Sequence, residues 1–232
     1  LDILKDRLSR EFHVDANAGT PMVAYRETAT AAGRAEHVFE RDLGGRRHFA
    51  AVTVEVSPRA RGEGNSIEFD LSRNELPAEF RGSMEDGIRD VLVTGVLGNY
   101  PVADVLARVA GVKYDEIDPS EIAFRSASVM AAREALRAAG PVFLEPIMLL
   151  EITVPTEFMG DVLSDLNART GKVKDIAVKG AVQVITAHVP LARVFGYASA
   201  VRSVSRGRAS YTMEPHRFEI VSENVQRELL SK

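Results

Sequence analysis

The feature that most narrows the folds open to this chain is the rhythm of its apolar residues from Pro141 onward. FLEPIMLLEITVP (143–155) is strand-like, and TEFMGDVLSDLNART (156–170) carries helical spacing. GKVKDIAVKG (171–180) and AVQVITAHVP (181–190) read as paired strands, LARVFGYASAVRSVS (191–205) as a helix, and GRASYTMEPHRFEIV (207–221) as a last strand. Strand, helix, two strands, helix, strand is the split βαβ order of ferredoxin-like folds, which predicts an antiparallel sheet with both helices on one face. Met148, Phe158, Met159 and Phe195 are expected in its core. SENVQRELL (222–230) predicts a short closing helix that docks on the preceding part of the chain.

Upstream the pattern is looser. LDILKDRLSREF places Leu1, Leu4 and Leu8 on one helical face, as if a helix were already under way, which points to a piece of a longer chain. AGTP (18–21) breaks that helix, and an extended segment starts at Met22. HFAAVTVEVS (48–57) alternates as a strand does, which makes LGGRRH (43–48) a basic turn and PRARGEGN (58–65) a second polar loop. PAEFRGSMEDGIRDVLVTG (77–95) is helical, with Phe80, Met84, Ile88, Val91 and Leu92 on one face; PVADVLARVAGVKY (101–114) returns as a strand. SEIAFRSASVMAAREALRAAG (120–140) is a helix stopped by Gly140 before Pro141. The fold class is therefore α+β in two domains, a βαβ-type domain over 18–140 and a ferredoxin-like domain over 141–232, after a remnant helix over 1–17.

Composition excludes several function classes. A net charge of −4 argues against coating nucleic acid through bulk charge, so RNA contacts would have to be local. The absence of cysteine removes disulfides and thiolate metal sites and fits a reducing, cytoplasmic setting. No run is long and apolar enough to span a membrane. There is no Gly-rich phosphate loop followed by Lys and Ser or Thr, no GxSxG and no HExxH. His13, His37, His48, His188 and His216 are scattered at no ligand spacing. No catalytic residue and no metal site are expected in this chain. The acidic stretch DEIDPSE (115–121) lacks the spacing and glycine of a calcium loop; it reads as a helix start, with Asp118 as N-cap, Pro119 at the first helical position and Glu121 reaching back to the cap. That leaves Asp115 and Glu116 without a structural task.

Several motifs are more specific than this. LEP (144–146), GDV-x-x-DLN (160–167), FGYA (195–198) and RGRASYTME (206–214) together closely resemble the fifth domain of elongation factor G, the translational GTPase. PMVAYRET (21–28), GGRRHF (44–49) and YDEIDPSEIAF (114–124) resemble that family's fourth domain, in order, and the first helix resembles the tail of its third. The resemblance implies a ribosomal-protein-S5-like βαβ domain followed by the ferredoxin-like one.

It further implies a ribosome-bound lever acting as a monomer. In that family the fourth domain reaches the decoding region and touches mRNA and tRNA during translocation, while the fifth sits against ribosomal RNA. GTP and Mg²⁺ belong to an N-terminal domain that these residues do not include. Carried across by motif, the first tip loop falls on Gly44, Gly45, Arg46, Arg47 and His48, and the second on Tyr114, Asp115 and Glu116. Glycines allow close approach to a backbone, and arginines fork onto phosphates. Where translocating members usually carry a histidine after the tyrosine, this chain has Asp115, which an RNA phosphate repels. A recycling or ribosome-protection paralogue is therefore an alternative. In the fifth domain Arg202, Arg206 and Arg208 are expected to meet RNA phosphate. A stand-alone ferredoxin-like ligand-binding or enzymatic protein is the alternative of another class, and it predicts an apolar pocket with converging titratable groups.

Overall fold

The computed structural model describes residues 10–13, 22–72 and 75–231, with the backbone alone at Leu43. Most of the expected opening helix and the AGTP break lie outside the described residues.

Two sheets form. The first contains β2 (Gly33–Leu43), β3 (Arg46–Pro58), β4 (Ser66–Phe69) and β5 (Val105–Tyr114), in the order β2-β3-β5-β4. β2 and β3 join through Gly44-Gly45, both at positive φ (63° and 81°), the geometry a two-residue hairpin turn requires. β4 runs parallel to β5, and α1 (Ala78–Thr94) makes the crossover between them. Along β3 the residues at alternate positions His48, Ala50, Val52, Val54 and Val56 are buried, and with Val105, Ala107 and Val109 they meet the helices. α2 (Glu121–Ala138) presents Ala123, Ala127, Ala131 and Ala135 to that face, small side chains that let the helix lie close to the sheet.

The start of α2 differs from the sequence expectation. Ser120, not Asp118, is the N-cap; its hydroxyl accepts from the Ala123 N–H at 3.3 Å. DPSE offers two capping side chains, and Asp118 has a charged partner in Arg46, which leaves the cap to the hydroxyl nearer the helix.

The second sheet contains β6 (Pro141–Pro155), β7 (Lys172–Lys179), β8 (Val182–Pro190) and β9 (Ser210–Ile220). The spatial order β9-β6-β8-β7, all antiparallel, is that of a ferredoxin-like sheet. α3 (Met159–Ala168) and α4 (Tyr197–Val204) bury Val162, Leu166, Tyr197 and Val201 against Leu150, Ile152, Val154, Ile185, Ala187 and Val189. Met148 and Phe158 join this core, Met159 packs at its margin, and Phe195, in the link before α4, is exposed instead.

One strand joins the two halves. β1 (Arg26–Ala29), which precedes the first sheet in sequence, pairs antiparallel with Pro141–Leu144 at the beginning of β6. Backbone hydrogen bonds on its other side reach Pro101 and Ala103. The expected division at residue 140 is thus bridged by a strand from upstream. Phe143, Val221 and Leu229 form a small core beside it with Tyr25, Leu97, Tyr100 and Val225. The closing helix α5 (Glu223–Leu230) docks there, and its Gln226 Oε1 accepts from the Phe143 N–H at 3.1 Å.

Candidate nucleic-acid interface

Both expected tip loops stand at the same end of the first sheet, because β3 pairs Ala50 with Tyr114 and so brings the β2–β3 turn beside the end of β5. Two cross-links lock them. Arg46 forms a two-pronged ion pair with Asp118, and His48 Nδ1 lies 2.5 Å from Ser120 Oγ. His48 is only 9% exposed. It therefore fastens the tip from inside, where a surface contact was expected; its parity with Ala50, Val52 and Val54 was the signal in the sequence.

Arg47 donates to Glu40 at 2.9 Å and lies over Phe49, with Cζ 5.2 Å from the ring centroid. Arg46 and Arg47 remain about half exposed, at 50% and 55%. Exposed ion pairs are worth only about 0–1 kcal/mol, so a phosphate can take either guanidinium from its carboxylate. Tyr114 leans on Phe124 with centroids 5.2 Å apart, which leaves it half-buried. Asp115 Oδ1 accepts from the Ile117 N–H at 3.1 Å, an Asx turn that shapes the loop, and Glu116 points to solvent. Ile117 is 96% exposed, a bare apolar side chain at the end of the loop. Sequence reading passed over it, although an isoleucine between acids in a turn has no packing reason to be there.

Residues 40–48 and 114–118 hold Arg41, Arg46 and Arg47 against Glu40, Asp42, Asp115, Glu116 and Asp118. The tip is net acidic. What it presents is shape, two arginine forks and an apolar point, with no excess of positive charge.

Arg202 lies in the last turn of α4, and Arg206 and Arg208 follow the helix, both over Phe158. Ser205, fully buried, donates to the Val201 carbonyl at 2.6 Å and accepts from the Ala209 N–H at 3.1 Å; this pins a loop in which Arg206 and Gly207 both have positive φ. Arg208 pairs with Glu157 at 2.6 Å and lies over Phe158, with Cζ 5.2 Å from its ring centroid. Arg202 is exposed, without a side-chain ion pair among the described residues.

His188 and His216, far apart in sequence, meet with ring centroids 4.4 Å apart. Burial, and then His216, Arg217 and Lys174, hold the His188 imidazole below its ordinary value. The unfolded chain consequently takes up a proton that the folded one resists. Stability is expected to fall as pH drops from about 7 towards 5, and His188→Gln to flatten that slope. Parallel thermal unfolding series for the two proteins check this; identical slopes would refute it. Among the described residues no three metal-ligating side chains converge.

Residues 21–140 match the family profile "Elongation factor G, domain IV", and residues 142–229 match "Elongation factor G C-terminus". A crystal structure of a protein from Thermus thermophilus is similar throughout, with a TM-score of 0.86 at 30% identity, covering 99% of this chain and 34% of that one. The chain thus spans about a third of the length of that protein. Two family domains in order over almost every described residue, on two sheets of the expected α+β architecture, place this chain in the elongation factor G family.

Proposed function

We propose that this chain is the ribosome-engaging C-terminal part of an elongation factor G-like translational GTPase, and that it promotes movement of tRNA and mRNA by entering the decoding region with its tip. The carrying observation is the locked pair of loops at the far end of the first sheet, joined by Arg46–Asp118 and His48–Ser120. Gly44, Gly45, Arg46, Arg47, Tyr114, Asp115 and Glu116 face the RNA, and His48 holds them. Arg202, Arg206 and Arg208 make a second contact, with ribosomal RNA. The action is mechanical. The sequence carries no phosphate-loop motif. Nucleotide chemistry is assigned to the rest of the parent factor, in the cytoplasm. Family membership over nearly the whole chain favours this over a stand-alone ligand-binding protein.

Asp115 and the acidic tip favour a second reading, a recycling or ribosome-protection paralogue. Single-turnover translocation by the full-length parent, with a ribosome-splitting assay beside it, separates the two. Reversing Arg46 and Arg47 to Glu is expected to slow translocation about tenfold or more, a barrier change of about 1.4 kcal/mol, with little change in thermal stability. An unchanged rate would remove the tip from the mechanism. Poor translocation by the wild type, efficient splitting, and a gain of translocation on Asp115→His would establish the paralogue.

A further inference from the structure

At the end of the first sheet opposite the tip, where it meets the second sheet, lies a crevice of about 500 Å³. Arg26 of β1, Arg61 of the polar loop 59–65 and Arg217 of β9 converge on it from three separate segments. In a chain of net charge −4 this is a local concentration of positive charge. Asp104 is the one carboxylate among the lining residues, and it is buried and committed: its Oδ1 accepts from the Gly64 N–H at 2.9 Å. Its other oxygen is 3.8 Å from Arg61, whose Nη1 is aimed by a 3.0 Å bond to Thr28 Oγ1. Arg217 pairs with Glu219, while Arg26 lies over Phe218, Cζ 4.2 Å from the centroid, with no carboxylate partner among the described residues.

The loop itself is built and braced. Arg59 donates to the carbonyls of Glu63 and Gly64 at 3.2 and 2.9 Å, and its own N–H reaches the Asp104 carbonyl at 2.8 Å. Asn65 bonds Val102 and Val105 through both ends of its amide. Gly62 and Gly64 have φ of 90° and 72°, with open space where a Cβ would stand. That bracing ties the loop to the core residues Val102 and Val105 and holds bare backbone and a guanidinium at the rim of an open crevice, which lowers the ordering cost of binding.

We propose that this crevice is a binding site for an RNA backbone phosphate, a contact distinct from the tip and from Arg202, Arg206 and Arg208. It rests on the ribosomal reading, which supplies the RNA. Arginine forks approaching from several directions suit a tetrahedral phosphodiester. The Arg26–Phe218 pair and the His216 ring border the site, and on these a flanking base can lie. They favour RNA over an acidic peptide.

The test is titration of the chain with a short single-stranded oligoribonucleotide, followed by backbone amide shifts and by anisotropy across a salt series. Shifts are expected at Gly62 and Gly64. Arg26→Gln with Arg61→Gln should weaken binding about tenfold and lower the salt slope by about 1.4, the value for two lost phosphates on a single strand. Arg26→Gln alone, which disturbs only the stack on Phe218, should give half that slope change and serves if the double variant does not fold. Unchanged affinity in both, with affinity lost in Arg46→Gln/Arg47→Gln, would overturn the crevice and leave the ribosomal reading standing. Displacement of the RNA from Gly62 and Gly64 by an oligoglutamate at lower concentration would overturn the ligand class. No oligonucleotide binding here, together with no ribosome binding by the full-length parent, would overturn both.

Discussion

Glu27→Ala is expected to destabilise the chain by about 3–5 kcal/mol. Glu27 sits in the strand shared between the two halves and is fully buried. Its carboxylate accepts from the N–H groups of Val96 (2.7 Å), Leu97 (3.0 Å) and Gly98 (2.9 Å), the turn that follows α1. Removing it strands those donors, each at about 1–3 kcal/mol, partly relieved by water entering the cavity. The close fit extends to Gly95, where a Cβ would stand 2.5 Å from a Glu27 oxygen. Urea unfolding followed by circular dichroism measures the loss. A change below about 1 kcal/mol would show that the turn finds other acceptors.

Gly33→Ala should be nearly as damaging, for a steric reason. Gly33 opens β2 beneath the end of α2, and an added Cβ would lie 2.3 Å from the Ala135 carbonyl oxygen and 2.5 Å from the Ala139 nitrogen. Both are backbone atoms and neither can rotate away, so helix and strand must separate. Overpacking of this kind costs about 3 kcal/mol. Gly82→Ala is the matched control. It lies within α1 with open space at its Cβ position, and should stabilise by about 0.5–1 kcal/mol through helix propensity. If the two substitutions gave the same midpoint in denaturant, the close approach at Gly33 would be refuted.

What could be read from the sequence followed periodicity. The six elements after Pro141 were legible because each carries its own apolar spacing, and the Gly44-Gly45 turn because only glycine takes two successive positive φ angles easily. What could not be read depends on partners distant in the chain. Nothing near Arg46 announces Asp118, so a guanidinium expected to fork onto phosphate is ion-paired to a carboxylate, and the cap expected at Asp118 lies at Ser120. Glu27 looks like any polar residue until the turn after α1 folds over it. His48 lies between these cases. Its place in the inward series of β3 was visible, yet its neighbours in a basic turn drew the eye to solvent. The crevice was the hardest to foresee, since RGEG reads as a flexible turn and its bracing comes from Asp104 and Asn65.

The strand that β1 lends to the second sheet also fixes an order of events during synthesis. Everything needed for the first sheet and its two helices has been made by Ala138, but the strand partner of β1 starts only at Pro141. As the chain leaves the ribosome, the upstream sheet and helices can condense while Arg26–Ala29 still lacks its strand neighbour, because domains form roughly in the order they emerge. Pairing over so long a separation is slow. The nascent chain therefore passes through a stage with a finished tip and an open edge at its base, and that edge closes only once β6 appears.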